Sequence, residues 1–199
     1  MALPKKLKNM NLFYQGASFL GQVASVTIPT LARTMEDYRG GGMDGSVKID
    51  MGQEPLELEW SCGGFMEQVL NDYGVTTVNG VMIRFNGAYA NEATGAVHAV
   101  EMVVQGRHEE IEPGEAKPGE DTEFNVKTNC SYYKLSVDGK DKIEIDLLNF
   151  VFIVNGIDRL AEQRKALGLD SSALGSLVSP PRLQVPGVGG IGGALGNIF

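Results

Sequence analysis

Polar and apolar side chains alternate along much of this chain with a period of two residues. That period is typical of β-strands with one buried face and one face in water. It is clearest over residues 57–60, 81–85 and 124–130, while residues 97–104 are almost continuously apolar and predict a strand covered on both faces. We expect the core to include Trp60, Ile83, Phe85 and Leu135.

One turn and two helices are predicted between these strands. Asp138-Gly139 separates two alternating segments, and this pair favours a tight hairpin in which both residues take positive φ. Residues 64–73 and 157–167 have helical spacing, and the second segment has Asp158 to cap its start and Gly168 to end it. Because strands dominate, the predicted fold is mainly β: an antiparallel sandwich or barrel with one or two flanking helices.

Three segments break the strand pattern. Residues 39–55 contain several glycines and two methionines and predict a long loop or an extended hairpin arm. Residues 109–123 are acidic and interrupted by proline and glycine, which predicts an exposed loop. Residues 170–199 contain only two charged residues and a run of glycines. We therefore expect one domain over residues 1–169 and a flexible Gly/Pro-rich extension over residues 170–199.

Composition excludes several classes of protein. The 199 residues carry 25 acids and 17 Lys or Arg, a formal net charge of -8, so a protein that grips phosphates through clustered bases is not expected. The basic start at residues 5–8 is followed by no apolar signal region, and no stretch is long enough to span a bilayer. We expect a protein made in the cytoplasm, with Cys62 and Cys130 as reduced, buried thiols.

Motifs for catalysis or cofactor binding are weak. Residues 40–45 and 187–192 match G-x-G-x-x-G, but the first precedes a predicted strand and neither opens a helix on which a pyrophosphate would sit. Ser61 would need a base, and only His98 and His108 are available, with nothing in the sequence that places either beside it. The spacing of Cys and His predicts no metal site. We therefore expect neither an enzyme nor a cofactor. A small β-barrel enzyme or binding protein is the competing class, and it would need a concave pocket with a perturbed titratable group.

The chain resembles the major tail tube proteins of contractile-tailed phages and R-type pyocins. The resemblance runs in order from residue 3 to residue 169, through short matches that are individually weak. They lie at residues 3–7, 11–13, 26–31, 36–44, 106–107, 110–111, 113–115, 117–120, 132–135, 137–139, 143–146, 155–160 and 167–169. Residues 170–199 depart from the family pattern.

The resemblance implies a structural role. Members of that family have two packed antiparallel sheets with a flanking helix, and they form six-fold rings that stack into a tube inside a contractile sheath. It implies as partners the sheath, baseplate and tail terminator proteins, and DNA that transits the lumen without specific binding. The protein would belong to the virion tail, assembled in the host cytoplasm, without stable membrane association. The alternative is the tube of a DNA-free contractile injection particle, a tailocin or secretion-type system.

Two groups of residues are predicted to serve such a tube. We expect contacts between subunits or rings from the loop or arm residues Arg39, Gly40, Gly41, Gly42, Met43, Asp44, Gly45 and Met51. Glycines there permit unusual φ values, and methionine adapts to irregular pockets. Strand alternation selects Glu57, Glu59, Asn125, Lys127 and Asn129 as candidates to face a wet lumen.

Overall fold

The structure is a computed structural model, which describes residues 3–120 and 122–169; the predicted extension at 170–199 lies outside the described residues. Antiparallel strands dominate it, which confirms the predicted fold class. The strands are β1 (Lys5–Tyr14), β2 (Ala17–Ser18), β3 (Val23–Thr27), β4 (Arg33–Tyr38), β5 (Val47–Gln53), β6 (Leu56–Cys62), β7 (Val81–Asn91), β8 (Val97–Glu112), β9 (Phe124–Val137), β10 (Lys140–Asp146), β11 (Val151–Val154) and β12 (Ile157–Asp158). The helices are α1 (Glu67–Leu70) and α2 (Ala161–Ala166).

Two long strands, β8 and β9, belong to both layers of the fold. The large layer has the order β12-β11-β10-β9-β8-β7-β1-β2. In the small layer β3 pairs with β6, β6 pairs with the first half of β9, and that half of β9 also pairs with the last residues of β8. One buried cluster draws side chains from β1, β6, β7, β8, β9 and β10, so the two layers share a single core.

Gly106 marks the point where β8 passes from one layer to the other. The pairing of β8 with β9 shifts register between Gln105 and Gly106. A Cβ atom built on Gly106 would lie 2.1 Å from the backbone oxygen of Asn129. Since backbone cannot yield as a flexible side chain does, only glycine allows the strands to approach this closely.

The predicted core residues lie where the alternation placed them. Trp60, Ile83 and Phe85 are buried, and Leu135 is partly buried against the same cluster. The predicted hairpin is also confirmed: Asp138 and Gly139 have φ values of 52° and 73° and connect β9 to β10.

Both predicted helices are shorter than expected. Of residues 64–73 only Glu67–Leu70 is helical. Residues 157–167 begin with strand β12, because Ile157 and Asp158 pair with β11 before the chain enters α2. Asp158 therefore does not cap the helix from the N-cap position, which Leu160 occupies.

The end of α2 follows the prediction. Gly168 has φ of 72°, its N–H donates to the carbonyl of Lys165, and the N–H of Leu169 donates to the carbonyl of Arg164. These two bonds form a Schellman motif, in which a glycine closes the helix.

The acidic segment was only partly a loop. Strand β8 continues through Glu112, so the residues between the strands are 113–123. The prediction of a loop at residues 109–112 was wrong, because a register shift between His108 and Glu110 interrupts the alternation while the strand continues against β9.

The segment at residues 39–55 is part of a hairpin. Strands β4 and β5 form a separate two-stranded sheet joined by residues 39–46. We refer to residues 33–53 as the arm. No helix in the described part of the chain is long and apolar enough to cross a membrane.

Candidate functional site

The five polar residues selected from the sequence lie on one face of the small layer. Across β6 and β9, Glu57 is paired with Asn129 and Glu59 with Lys127, and Asn125 is paired with Ser61. Paired residues of antiparallel strands point to the same side, and their neighbours Leu58, Trp60, Val126 and Thr128 are buried on the other side. This polar face, defined by Glu57, Glu59, Asn125, Lys127 and Asn129, is thus the outer surface of the small layer.

Acidic residues surround a single lysine on the polar face. The Nζ atom of Lys127 lies 3.1 Å from a carboxylate oxygen of Glu57 and 3.7 Å from one of Glu109. The hydrogen bond to Glu57, with the charges of Glu109, Glu57 and Glu59, raises the pKa of Lys127. The lysine is therefore charged at neutral pH and offsets part of the negative potential.

Strand β8 adds charged residues that the sequence reading missed. Glu110 is paired with Lys127, Glu112 with Asn125, and Arg107 with Asn129, so all three extend the polar face. The sequence signal is weak because Glu110 and Glu112 lie in the segment predicted as a loop and because the register shift after His108 breaks the alternation. Together with Glu57, Glu59 and Glu109, these residues give the polar face five carboxylates and two basic side chains, those of Lys127 and Arg107.

The surface between these strands is an open groove and contains no enclosed cavity. Ser25 and Thr27 of β3 line it together with residues of β6, β8 and β9. The Ser25 and Ser61 hydroxyl oxygens are 2.7 Å apart and hydrogen-bonded. Small ligands usually bind tightly in concave, mainly apolar pockets. The open, polar lining of this groove is better suited to contact with water and passing solutes.

The small layer ends in two unpaired edges within the described residues. Strand β3 pairs only with β6. The pairing of β7 with β8 ends at Val81 and Gly106, so residues 107–112 pair only with β9. Unpaired edges expose backbone donors and acceptors to another chain.

The two faces of the arm differ in polarity. Tyr38 is paired with Val47 and Glu36 with Ile49, which places three exposed apolar side chains on one face. On the other face, which also carries the exposed Met35, Lys48 lies 3.6 Å from Asp37. Nearer the base of the arm the Arg33 guanidinium pairs with Asp50 at 2.9 Å. This second pair, with a hydrogen bond from the N–H of Gly52, lowers the pKa of Asp50.

The predicted contact residues Arg39 and Gly40 to Gly45 lie in the turn at the tip of the arm. Arg39 donates from Nε to the carbonyl of Met43 at 3.2 Å, and the Gly40 N–H contacts the Met43 sulfur at 3.2 Å. Gly42 has φ of 87°, a value that favours glycine. Met51, at the register shift of β5, has 57% of its surface exposed.

His108, one of the two histidines that could act as a catalytic base, is held in a buried chain of hydrogen bonds. Tyr14 donates its hydroxyl proton to Asp72 at 2.6 Å, and the Tyr14 oxygen lies 2.9 Å from His108 Nε2. His108 Nδ1 lies 3.0 Å from the Thr128 hydroxyl. Desolvation by burial, only partly opposed by the charge of Asp72, lowers the pKa of His108 to about 4. Burial, followed by the hydrogen bond to Asp72, raises the pKa of Tyr14.

The other candidates for chemistry are separated. Ser61 is hydrogen-bonded to Ser25, and His98 contacts Asp138 at 2.7 Å. Burial raises the pKa of Cys62 to about 11 and that of Cys130 to about 12, so neither is a reactive thiolate at neutral pH. A small β-barrel enzyme or binding protein would need titratable groups with shifted pKa values around one pocket. Within the described residues, the groups with shifted pKa values do not surround a common pocket.

Comparison with known proteins places the chain among tail tube proteins. A family model described as phage tail tube protein FII matches residues 4–168. The tail tube protein of Escherichia phage P2 is 48% identical over 172 residues, which cover 85% of this chain and 100% of that protein. The major tail tube protein of Serratia phage KSP20 is 42% identical over 158 residues, which cover 78% of this chain and 91% of that protein.

Solved structures share the fold at low sequence identity. A sheath/tube terminator of an extracellular contractile injection system, PVC, in the extended state matches with a TM-score of 0.51 and 10% identity, over 68% of this chain and 96% of that one. The tube-terminating cap of the anti-feeding prophage matches with a TM-score of 0.51 and 14% identity, over 68% of this chain and 94% of that one.

Proposed function

The chain belongs to the phage tail tube protein FII family, and from this membership we propose that its copies form six-membered rings that stack into the hollow inner tube of a contractile tail. It is a structural tail tube protein and part of the virion tail. The polar face on a layer with two unpaired edges is the observation that carries the proposal for the ring.

Edge pairing closes the ring. The β3 edge of one copy pairs with the β8 edge of the next, so six copies with four strands each give a closed barrel of about 24 strands. With strands about 4.8 Å apart and tilted by about 40°, the backbone barrel is roughly 50 Å across. Such a barrel has no free edges, and it leaves a wide channel.

The polar face lines that channel. Its five predicted residues, with Arg107, Glu109, Glu110 and Glu112, contact water, while the buried side of the same strands packs into the core. The excess of carboxylates repels the phosphates of DNA, so a genome passes without specific binding. Proteins adhere to DNA when lysine and arginine side chains displace the counterions of its phosphates. The polar face has few lysines and arginines, so this driving force is small.

The cargo distinguishes the two kinds of tube. A DNA-free contractile injection particle is the alternative assembly, and it would use the same rings and the same acidic channel. Purified particles separate the two: nuclease-protected DNA in a tailed capsid supports the phage tube, whereas intact contractile tails without a capsid support the alternative.

The arm contacts neighbouring copies, and other tail proteins bind the finished tube. The tip residues and Met51 belong to a hairpin that forms its own sheet, and all of them are exposed except Gly40 and Met43, which are half-buried. The sheath surrounds the tube, and baseplate and terminator proteins bind its ends. No step of this function requires a catalytic group, and we propose that the protein is not an enzyme.

Electron microscopy of the purified protein tests the ring and the tube. We expect six-fold rings or hollow tubes in negative stain, with matching sedimentation. Deletion of residues 41–46 leaves Arg39-Gly40 as a two-residue turn between the paired residues Tyr38 and Val47, so the deletion should fold with an unchanged melting temperature but not polymerise. Normal tubes from this deletion would contradict the role of the arm.

Heavy-atom labelling tests the lumen. Glu59→Cys on the polar face and Lys140→Cys at the start of β10 each provide one exposed thiol, whereas Cys62 and Cys130 are buried. We expect a gold–maleimide label on Glu59→Cys to add density inside the tube wall. Density on the outer wall from that variant would show that another face lines the lumen.

A further inference from the structure

We infer that the hydrogen bond between His108 and Thr128 positions the edge of β8 for ring closure, because it fixes a β-bulge at Glu109. The inference rests on the proposed function, in which the β8 edge of one copy pairs with the β3 edge of the next. His108 is 8% exposed and Thr128 is fully buried. Both residues therefore act through the strand edge and not by contact with the neighbouring copy.

One residue of β8 has no partner in β9. The pairing of the two strands joins His108 to Thr128 and resumes at Glu110. Glu109 is therefore an extra residue that forms a β-bulge. Without the bulge, strict alternation would turn Glu110 to the buried side, where an unpaired carboxylate is costly. With the bulge, both glutamates are exposed on the polar face.

Few contacts hold the edge segment beyond the bulge. Among residues 109–112 only Ile111 packs against the core, and it is half-buried. Glu112, paired with Asn125, is the last residue of the strand. A short strand end with one apolar anchor opens easily. The residue pair just before the bulge therefore has a large effect on where this edge lies.

A chain of hydrogen bonds fixes that residue pair. His108 Nδ1 lies 3.0 Å from the Thr128 hydroxyl on the opposite strand. Nε2 of the same ring lies 2.9 Å from the Tyr14 oxygen, and the Tyr14 ring stacks on the imidazole with centroids 5.7 Å apart. Asp72 accepts the Tyr14 hydroxyl proton at 2.6 Å. The imidazole is thus held at both nitrogens and on one face, which fixes the residue at which the bulge begins.

A defined bulge is important for a closed barrel. Bulges bend a strand and increase its twist, and they are common at the rims of barrels. In the proposed ring, six copies of this edge must each match a β3 edge in direction and register. An edge that is ordered before the copies meet avoids the entropic cost of ordering it during assembly.

Variants of Thr128 test the inference without changing the surface that a neighbouring copy contacts. Thr128→Val keeps the shape of the side chain but removes the hydroxyl, whereas Thr128→Ser keeps the hydroxyl. Ile145→Ala, in the buried core on β10, controls for a general loss of stability. Thermal unfolding ranks the stability of all these proteins. If Thr128→Val does not fold, Tyr14→Phe takes its place, because it removes the other hydrogen bond of His108 and keeps the aromatic stack.

Amide hydrogen exchange measures the order of the edge. We expect the amides of residues 109–112 to exchange at least about tenfold faster in Thr128→Val than in the parent, because loss of the bond lets the edge open. Residues 100–104, which pair with both β7 and β9, should change no more than they do in Ile145→Ala. Thr128→Ser should resemble the parent in both segments. Unchanged exchange at residues 109–112 in Thr128→Val, or the same increase there in Ile145→Ala, would overturn the inference.

Sedimentation and negative-stain microscopy of the same proteins measure tube formation. We expect tubes from the parent, Thr128→Ser and Ile145→Ala, and at least about tenfold fewer from Thr128→Val. Normal tubes from Thr128→Val would overturn the inference and leave the proposed function standing. A parent that forms no tubes would count against the proposed function. Hydrogen exchange then decides the inference alone: an increase confined to residues 109–112 supports it, and no increase overturns it.

Discussion

At the scale of single residues, the buried chain Thr128–His108–Tyr14–Asp72 links β9, β8, β1 and the segment that follows α1. Because Tyr14 donates to Asp72, its oxygen is left to accept the Nε2 proton of His108, and His108 Nδ1 then accepts from Thr128. This one-way chain requires neutral His108. It satisfies polar groups that the packing of the two layers would otherwise leave unpaired.

The hydrogen-bond chain through His108 predicts that the protein loses folding stability in acid. The folded-state pKa of His108, about 4, lies below the ordinary 6.5, so this contribution to stability is complete above pH 6.5 and is lost as the pH falls through 4. The shift corresponds to roughly 3 kcal/mol at most. We expect His108→Gln to flatten the pH dependence of the unfolding free energy between pH 6.5 and 4. His98→Gln, at a half-buried histidine outside this network, should keep the dependence, and an unchanged slope in His108→Gln would contradict the assignment.

The close approach of the strands at Gly106 predicts that a larger residue at this position destabilises the fold. Gly106→Ala places a methyl group against the Asn129 carbonyl and should reduce the unfolding free energy by about 1–3 kcal/mol, as overpacking does. Gly63→Ala is the control, because a Cβ there meets no atom within 4 Å. Chemical denaturation of both variants measures the difference, and equal stability would show that the strands do not approach as closely as described.

At the scale of elements, α2 is fastened to the sheet by one buried arginine. Arg164 is 7% exposed, pairs with Asp158 of β12 and donates to the carbonyl of Phe150 at 2.8 Å. The hydrogen bond from Arg164 is the largest cause that lowers the pKa of Asp158. A six-residue helix is too short to be stable alone, so this attachment and the glycine at its end determine whether it forms.

Arg164 and its neighbour provide a matched comparison. Arg164→Leu removes the ion pair and the bond to Phe150, and we expect a loss of about 2–3 kcal/mol of unfolding free energy. Lys165→Leu changes an exposed residue of the same helix and should stay within about 0.5 kcal/mol of the parent. Thermal or urea unfolding of the two variants checks this, and equal effects would argue against the attachment.

At the scale of the whole molecule, assembly works against charge. Each copy carries a formal charge of -8, and the proposed lumen gathers the carboxylates of six copies around one channel. Repulsion between like charges opposes ring closure, and salt screens it because the Debye length falls from about 30 Å at 0.01 M to about 3 Å at 1 M. The interfaces must therefore supply enough apolar and backbone contact to exceed that repulsion.

Salt should accordingly promote tube formation. Raising NaCl from about 0.01 M to 0.5 M is expected to lower the protein concentration at which tubes sediment several-fold. Glu57→Gln with Glu59→Gln removes two carboxylates per copy and should reduce that salt effect. Tubes that dissolve as salt increases would show that ion pairs, rather than apolar contacts, hold the rings together.

Local patterns in the sequence determined a large part of this protein. Alternation along β6 and β9 placed Glu57, Glu59, Asn125, Lys127 and Asn129 on one side, and Asp138-Gly139 specified a hairpin. These two predictions succeed because side-chain direction along a strand and turn geometry depend on adjacent residues alone. The resemblance to tail tube proteins was confirmed by the family match. The domain boundary at residue 169, the contact residues and the lumen residues stay predictions.

Tertiary structure alone decided which distant segments meet. The sequence did not indicate that Tyr14 would reach Asp72 and His108, or that Glu110 and Glu112 would join the polar face beside Lys127. It also gave residues 157–158 to a helix, although pairing with β11 makes them a strand. Short segments take the conformation that their distant partners stabilise, because pairing and burial outweigh weak local preference. The polar face of the small layer exists only because strands far apart in the chain lie side by side.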